Sequence, residues 1–270
     1  MNRRVHDVIQ LVTLLCLLLG ATVPTHAQSP AAFTDSPQMY KEWMTRKATD
    51  AALVHEVAAP LLSPELALAT YERRIVRQSD TLSSYNASTV VQANLPDALQ
   101  QGEFELRTQY IAPRTLRFKA VRFMGDHFVK SEVISRVLQS EVRHVENSNV
   151  TDMSISSNNY SFKYKKTEPI GPRIVHVFAV KPRQKRSGLF KGDIYLDANT
   201  GSLCQAKGRM VKSPSFFIRR IEFAQEYADF EGFTVPVHLH SVADTRLVGH
   251  VVVDIFVYDY SLMAKDTPDR

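Results

Sequence analysis

Three histidines, His238, His240 and His250, come nearest to a reaction centre in type and spacing. Two residues of strand rise put His238 and His240 on one face, about 7 Å apart. A turn centred on Thr245 would set His250 opposite His240. Three imidazoles suit zinc or copper, and a metal-dependent secreted enzyme would follow. The same pattern describes three histidines on the solvated face of a sheet, since spacing fixes no acidic fourth ligand. Asp254 shares the face of His250. His55-Glu56 lacks the second histidine of a zinc-protease helix and reads as a helix-surface pair. No Gly-x-Ser-x-Gly, Ser-x-x-Lys, phosphate-loop or dinucleotide-glycine pattern occurs. The balance favours a non-enzymatic protein with no cofactor.

A second cluster is basic. Lys181, Arg183, Lys185 and Arg186, with Lys191 close by, flank Leu189 and Phe190. It suits anionic lipid headgroups or an acidic partner such as an envelope protein, and equally a solvated hairpin end. Phe216 and Phe217 are adjacent and face opposite sides of a strand, so one of them is exposed or lines a cavity. Cys204 is the one cysteine left once the leader is removed, so no internal disulfide forms. It reads as a small buried hydrophobe.

The leader is clear. Arg3 and Arg4 precede an apolar run over 8–20, and Thr25-His26-Ala27 has small residues where a signal peptidase cuts. The run is too short to span a bilayer comfortably. Residues 1–27 are therefore expected to be a signal peptide, and the mature chain a periplasmic or secreted protein without a transmembrane span, able to touch a membrane peripherally. Removing the leader leaves 31 basic and 27 acidic residues. That mild excess suits an anionic ligand or surface and is far from a nucleic-acid footprint.

The elements that must position these residues follow in order. Ser36-Pro37 starts a helix expected over 37–59, ended by Pro60; Ser63-Pro64 starts a second, through about residue 77. Together they make an N-terminal helical segment, 28–80. Strands are expected over 85–95, 101–110 and 115–123. Then Ile134, Val137, Leu138, Glu141, Val142 and Val145 give an amphipathic helix over 131–145. Further strands follow over 161–166, 173–181, 189–196 and 202–211, and a meander over 217–260. In that meander Ile221, Phe223 and Tyr227 alternate with Arg220, Glu222 and Glu226, and Arg219 is a misfit on the apolar side. Pro236 donates no backbone bond, so its strand should be an edge or carry a bulge. Strand–helix alternation is absent. The fold class is α+β: one large curved antiparallel sheet over 81–265, an unclosed β-barrel, with a few helices covering its concave side.

Three stretches resemble the LolA/LolB-like family of periplasmic lipoprotein carriers, which includes a sensor relative. The first is Gly102-Glu103-Phe104-Glu105-Leu106 with Ala112-Pro113-Arg114-Thr115-Leu116-Arg117-Phe118. The second is His176 to Pro182 with Ile194-Tyr195-Leu196-Asp197 and Thr200-Gly201-Ser202-Leu203. The third is Tyr227 to Pro236, closing with Val257-Tyr258-Asp259-Tyr260. Their order covers roughly 85–260. The helices over 37–77 and the loop over 181–186 have no counterpart in the family pattern. The resemblance implies a half-barrel with a helical lid, an apolar cavity, and a lipid acyl chain or lipoprotein as cargo. Phe104, Leu106, Phe118, Phe223, Val237 and Val253 would line the cavity. The arginine that serves lipid release in the carriers would fall among Arg107, Arg114 and Arg117. The alternative to this carrier or sensor, besides the metal enzyme, is a protein-binding module whose barrel is filled by its own side chains.

Overall fold

The structure is a computed structural model that describes residues 36–54, 60–147, 153–213 and 216–265. The expected signal peptide and His55-Glu56 lie outside them. Helix α1 (Gln38–Val54) and helix α2 (Pro64–Thr81) lead into β1 (Leu82–Leu95), β2 (Gln100–Ile111) and β3 (Thr115–Gly125). A π-helical turn (Val129–Ile134) runs into α3 (Ser135–Asn147). Then come β4 (Tyr160–Ile170), β5 (Arg173–Pro182), β6 (Phe190–Asp197), β7 (Leu203–Met210), β8 (Ile218–Phe230), β9 (Phe233–Thr245) and β10 (His250–Ala264). They form one antiparallel sheet in the order β3-β2-β1-β10-β9-β8-β7-β6-β5-β4. The two edge strands, β3 and β4, do not meet, so the half-barrel is open. Both edges carry cations: Arg117, Lys119 and Arg122 on β3, and Lys163, Lys165 and Lys166 on β4. Charged edges resist pairing with another chain.

Helix α2 begins as its sequence dictates. The Ser63 hydroxyl accepts from the Leu66 amide at 3.2 Å, and Pro64 occupies the first turn. It runs past residue 77 because its last turn is held from outside. Gln78 donates to the Thr234 carbonyl at 2.9 Å and accepts from the Thr234 amide at 2.8 Å. Helix propensity could not reveal that anchor on β9.

Two irregularities in the meander have local causes. Pro236 lies on β9, which is flanked by β10 and β8, so the strand is interior. The register shifts there, with Glu226 opposite His238 but Tyr227 opposite Pro236. A bulge accommodates the missing donor. A second shift, between Ile218 and Arg220, absorbs Arg219 and leaves it exposed while Ile221 and Phe223 keep the apolar side.

One sheet face, called inner here, carries Leu106, Phe223, Leu239, Val253 and Ile255, all buried. Helix α3 and Tyr71 of α2 pack against this side. Helix α1 lies on the other side. Its Tyr40 ring sits 5.0 Å from that of Phe256 and 6.4 Å from that of His238. By alternation, both of those face away from Ile255. So α2 and α3 cover the expected face, while α1 straps the opposite one.

Strands β6 and β7 come unusually close at Gly192 and Gly208, which are register partners. A side-chain carbon on Gly192 would lie 1.9 Å from the Lys207 carbonyl oxygen, a backbone atom that cannot swing aside. Gly192→Val is expected to destabilise the fold by about 2–4 kcal/mol, read as a lower denaturant midpoint. An unchanged midpoint would mean that the strands separate there at no cost.

Candidate functional site

The histidines do not assemble as their spacing suggests. His250 pairs in register with Asp244 rather than His240, because the β9–β10 turn lies further on. The Thr245 amide and hydroxyl both donate to the Gly249 carbonyl, at 2.9 and 2.8 Å. His250 is instead tied to Asp97, whose carboxylate accepts from its backbone amide at 2.8 Å and from Nδ1 at 3.1 Å. Among the described residues no group of three His, Cys, Asp or Glu side chains could hold a metal ion. The register therefore separates His250 from His238 and His240, and the three do not meet as one centre.

His238 and His240 do share a partner. One oxygen of Asp254 accepts from His238 Nε2 at 2.9 Å and from His240 Nδ1 at 3.0 Å. The His238 ring stacks on Phe256 at 4.5 Å. Burial alone would raise the Asp254 pKa, but the two imidazole hydrogen bonds outweigh it and bring it to about 2. The hydrogen bond to Asp254 in turn raises His240. The triad meets α1 at its His238 end, where Tyr40 lies 6.4 Å away, while His240 is exposed. Cys204 packs beside Val175, Val177 and Tyr195, and burial pushes its thiol up although Arg173 lies against it.

Sequence reasoning expected an apolar cavity on the inner face. A space of about 30 Å³ lies at the seam between α3 and the sheet. That is about one water molecule's share of liquid volume. Its lining includes Val137 and Leu138 of α3, Phe118 of β3, and Ile255 and Val257 of β10. Of the six residues named for it, Phe118 is on the wall. Phe104, Leu106, Phe223, Val237 and Val253 are buried within the surrounding core.

Two walls of the cavity are polar. The hydroxyls of Thr89 and Thr108 bond each other at 2.6 Å, which leaves the wall nearly apolar in effect. Glu141 lies in the lining, buried to 5% exposure. Beside it the Tyr85 hydroxyl is pushed well up by burial, with Tyr110 and Glu141 adding to the shift. Glu141 is the one ionisable acid in this wall, and its sequence signal was its place in the apolar stripe of α3. Arginine is absent from the lining. Arg107 and Arg117 pair with Ser88 and Gln109 on the outer side, and Arg114 sits in the β2–β3 turn.

The basic cluster splits in two. Arg183 donates through Nε to the Ser157 carbonyl at 2.9 Å, and Arg186 to the Asn159 side chain at 2.8 Å. They fasten the β5–β6 hairpin to the preceding loop. Lys181 and Lys185 are exposed. Leu189 and Phe190, which stand beside them in sequence, are fully buried.

No protein-family model matches the sequence, and no curated protein does. Among solved structures, a LolA superfamily protein from Nitrosomonas europaea is similar at 12% identity and a TM-score of 0.42, over 78% of this chain and 96% of that one. A putative outer membrane lipoprotein-sorting protein domain from Vibrio parahaemolyticus is similar at 13% identity and a TM-score of 0.42, over 77% and 95%. A DUF1329 family protein from Desulfovibrio piger is similar at 10% identity and a TM-score of 0.39, over 76% and 94%. None of them carries a site residue to this chain.

The triad has a pH signature. Asp254 is lowered from 3.8 to about 2, so its contribution to stability is present above about pH 4 and lost as pH falls towards 2. His240 is raised above 6.5, so its contribution is full below that value and lost as pH rises through its folded pKa. The triad therefore stabilises most between those limits. In Asp254→Asn, the His240 pKa measured by NMR is expected to fall back towards its ordinary value. An unmoved His240 titration would show that the Asp254 contact does not exist in solution.

Proposed function

We propose that the chain is an exported, non-enzymatic binding protein of the bacterial envelope, whose inner sheet face takes an acyl chain of a lipid or lipoprotein when α3 lifts. The observation that carries this is the position of the cavity: it lies at the seam, with apolar walls from the helix on one side and the sheet on the other. A chain cannot enter about 30 Å³ as it stands. Displacing α3 would open the seam along Val137, Leu138, Val142 and Val145.

The energies permit such an exchange. Re-exposing the buried Val137 and Val145 in full and the half-buried Leu138 and Val142 in part costs about 4–9 kcal/mol, from about 1.5–3 kcal/mol for each full burial. Burying about ten acyl methylenes returns about 8 kcal/mol. Near balance is what a reversible carrier needs. The leader over 1–27, the mild basic excess and the family resemblance of 85–260 support the same reading. A second reading, a protein-binding module with a filled barrel, is favoured by the smallness of the cavity.

Native mass spectrometry of the mature protein from its own envelope tests the choice. The expected result is a bound mass in the lipid range. A bare protein that also takes up no fluorescent acyl probe would leave the filled module. Leu138→Glu puts a second carboxylate in the seam and is expected to weaken acyl-probe uptake at least about tenfold.

A further inference from the structure

Four hairpins turn at one end of the sheet, and strand order makes them neighbours along its rim: β1–β2, β9–β10, β7–β8 and β5–β6. Their tips are stitched together. Asp97 of the first holds the backbone of His250 beside the second. Arg246 of the second donates from its backbone to the Phe217 carbonyl at 2.8 Å and from Nε to the Phe216 carbonyl at 2.9 Å, both in the third. Val211 of the third donates to the Leu189 carbonyl at 3.0 Å in the fourth.

The stitched tips are apolar and basic by turns. Phe216 is 77% exposed, Leu99 62% and Leu247 51%. The Arg246 guanidinium lies 4.6 Å from the centre of the Phe216 ring. That contact braces the aromatic ring outward while leaving the cation at the surface. Lys212, Arg219, Lys181 and Lys185 are exposed around the same rim. Asp97 is committed to His250, and Glu222 to Arg220. At the far end of the sheet, the β8–β9 turn carries an exposed Glu231 and Asp229, which is committed to Arg74.

Exposed large apolar side chains cost solubility and mark a contact site when grouped. Here they stand on protruding tips ringed by cations. A peptide partner would ask for a groove. Projecting aromatic and aliphatic residues with lysine and arginine behind them suit the boundary between headgroups and acyl chains, where the apolar tips enter and the cations meet phosphate.

We propose that this rim docks the protein on an anionic bilayer, with Phe216 and Leu247 inserted and Arg246, Lys212 and Lys185 against lipid phosphates. The docking is independent of whether the seam under α3 takes an acyl chain. It moves the membrane contact from the buried pair Leu189 and Phe190 to the tips beside them.

The test is co-sedimentation of the mature chain with vesicles of phosphatidylethanolamine and phosphatidylglycerol, and with vesicles of phosphatidylcholine alone. Binding is expected on the anionic vesicles, weak on the zwitterionic ones and reduced by salt. Phe216→Ser with Leu247→Ser should weaken binding at least about tenfold, as should Lys212→Glu with Lys185→Glu, with melting curves unchanged. No binding to anionic vesicles overturns the proposal. So does binding that survives Phe216→Ser with Leu247→Ser, which would be attraction by charge without insertion. If vesicles fail and the same variants lose an acidic protein partner in pull-down, the rim is a protein interface and the proposal falls. Acyl-probe uptake by these variants should match the wild type, which separates failure of the rim from failure of the cargo reading.

Discussion

Strand β1 lies against β10, from Leu82 opposite Ala264 to Asn94 opposite Val252. The two are far apart in the chain, and their ladder is the seam of the molecule. On one side are β1, β2, β3 and α3; on the other are β4 to β10, joined to one another by successive hairpins. Closing such a distance is entropically expensive and slow. What offsets the cost is burial on both faces of the seam. Val91 and Val253 are sealed on the inner face, and Phe256 and Tyr258 are covered on the outer one by Tyr40 of α1. The seam cavity and the Asp254 triad both lie along β10, as does the Asp97–His250 tie at its start.

Much of the architecture was legible because it is written locally. Alternation such as Ile221, Phe223 and Tyr227 against Arg220, Glu222 and Glu226 fixes a strand and its buried side. The apolar stripe of α3 and the Ser63-Pro64 start of α2 are equally local. Pro236 and Arg219 read as disturbances, and each became a bulge, the usual way a sheet absorbs a residue that does not suit its ladder.

The candidate site was less legible, because it is assembled at a distance. His250 was aimed at His240 by assuming the nearest turn, whereas Asp97 holds it from a different hairpin. The acidic partner of His238 and His240 is Asp254, on the facing strand, and spacing could not supply that register. Glu141 was visible as a carboxylate in an apolar stripe, yet only the fold puts it beside Tyr85 in the cavity wall. Leu189 and Phe190 read as companions of a basic loop, and tertiary packing buries them completely.

The cavity at the seam takes Phe118 and Leu138 from the first part of the chain and Ile255 and Val257 from the last strand. Such a pocket has no existence in a partly made molecule. While the chain emerges, β1 to β3 and α3 can form around their own contacts, but one wall of the pocket is still missing. It arrives with β10. The pocket is thus complete only on a finished chain, and a chain cut short within β10 would offer its inner face as open, sticky sheet.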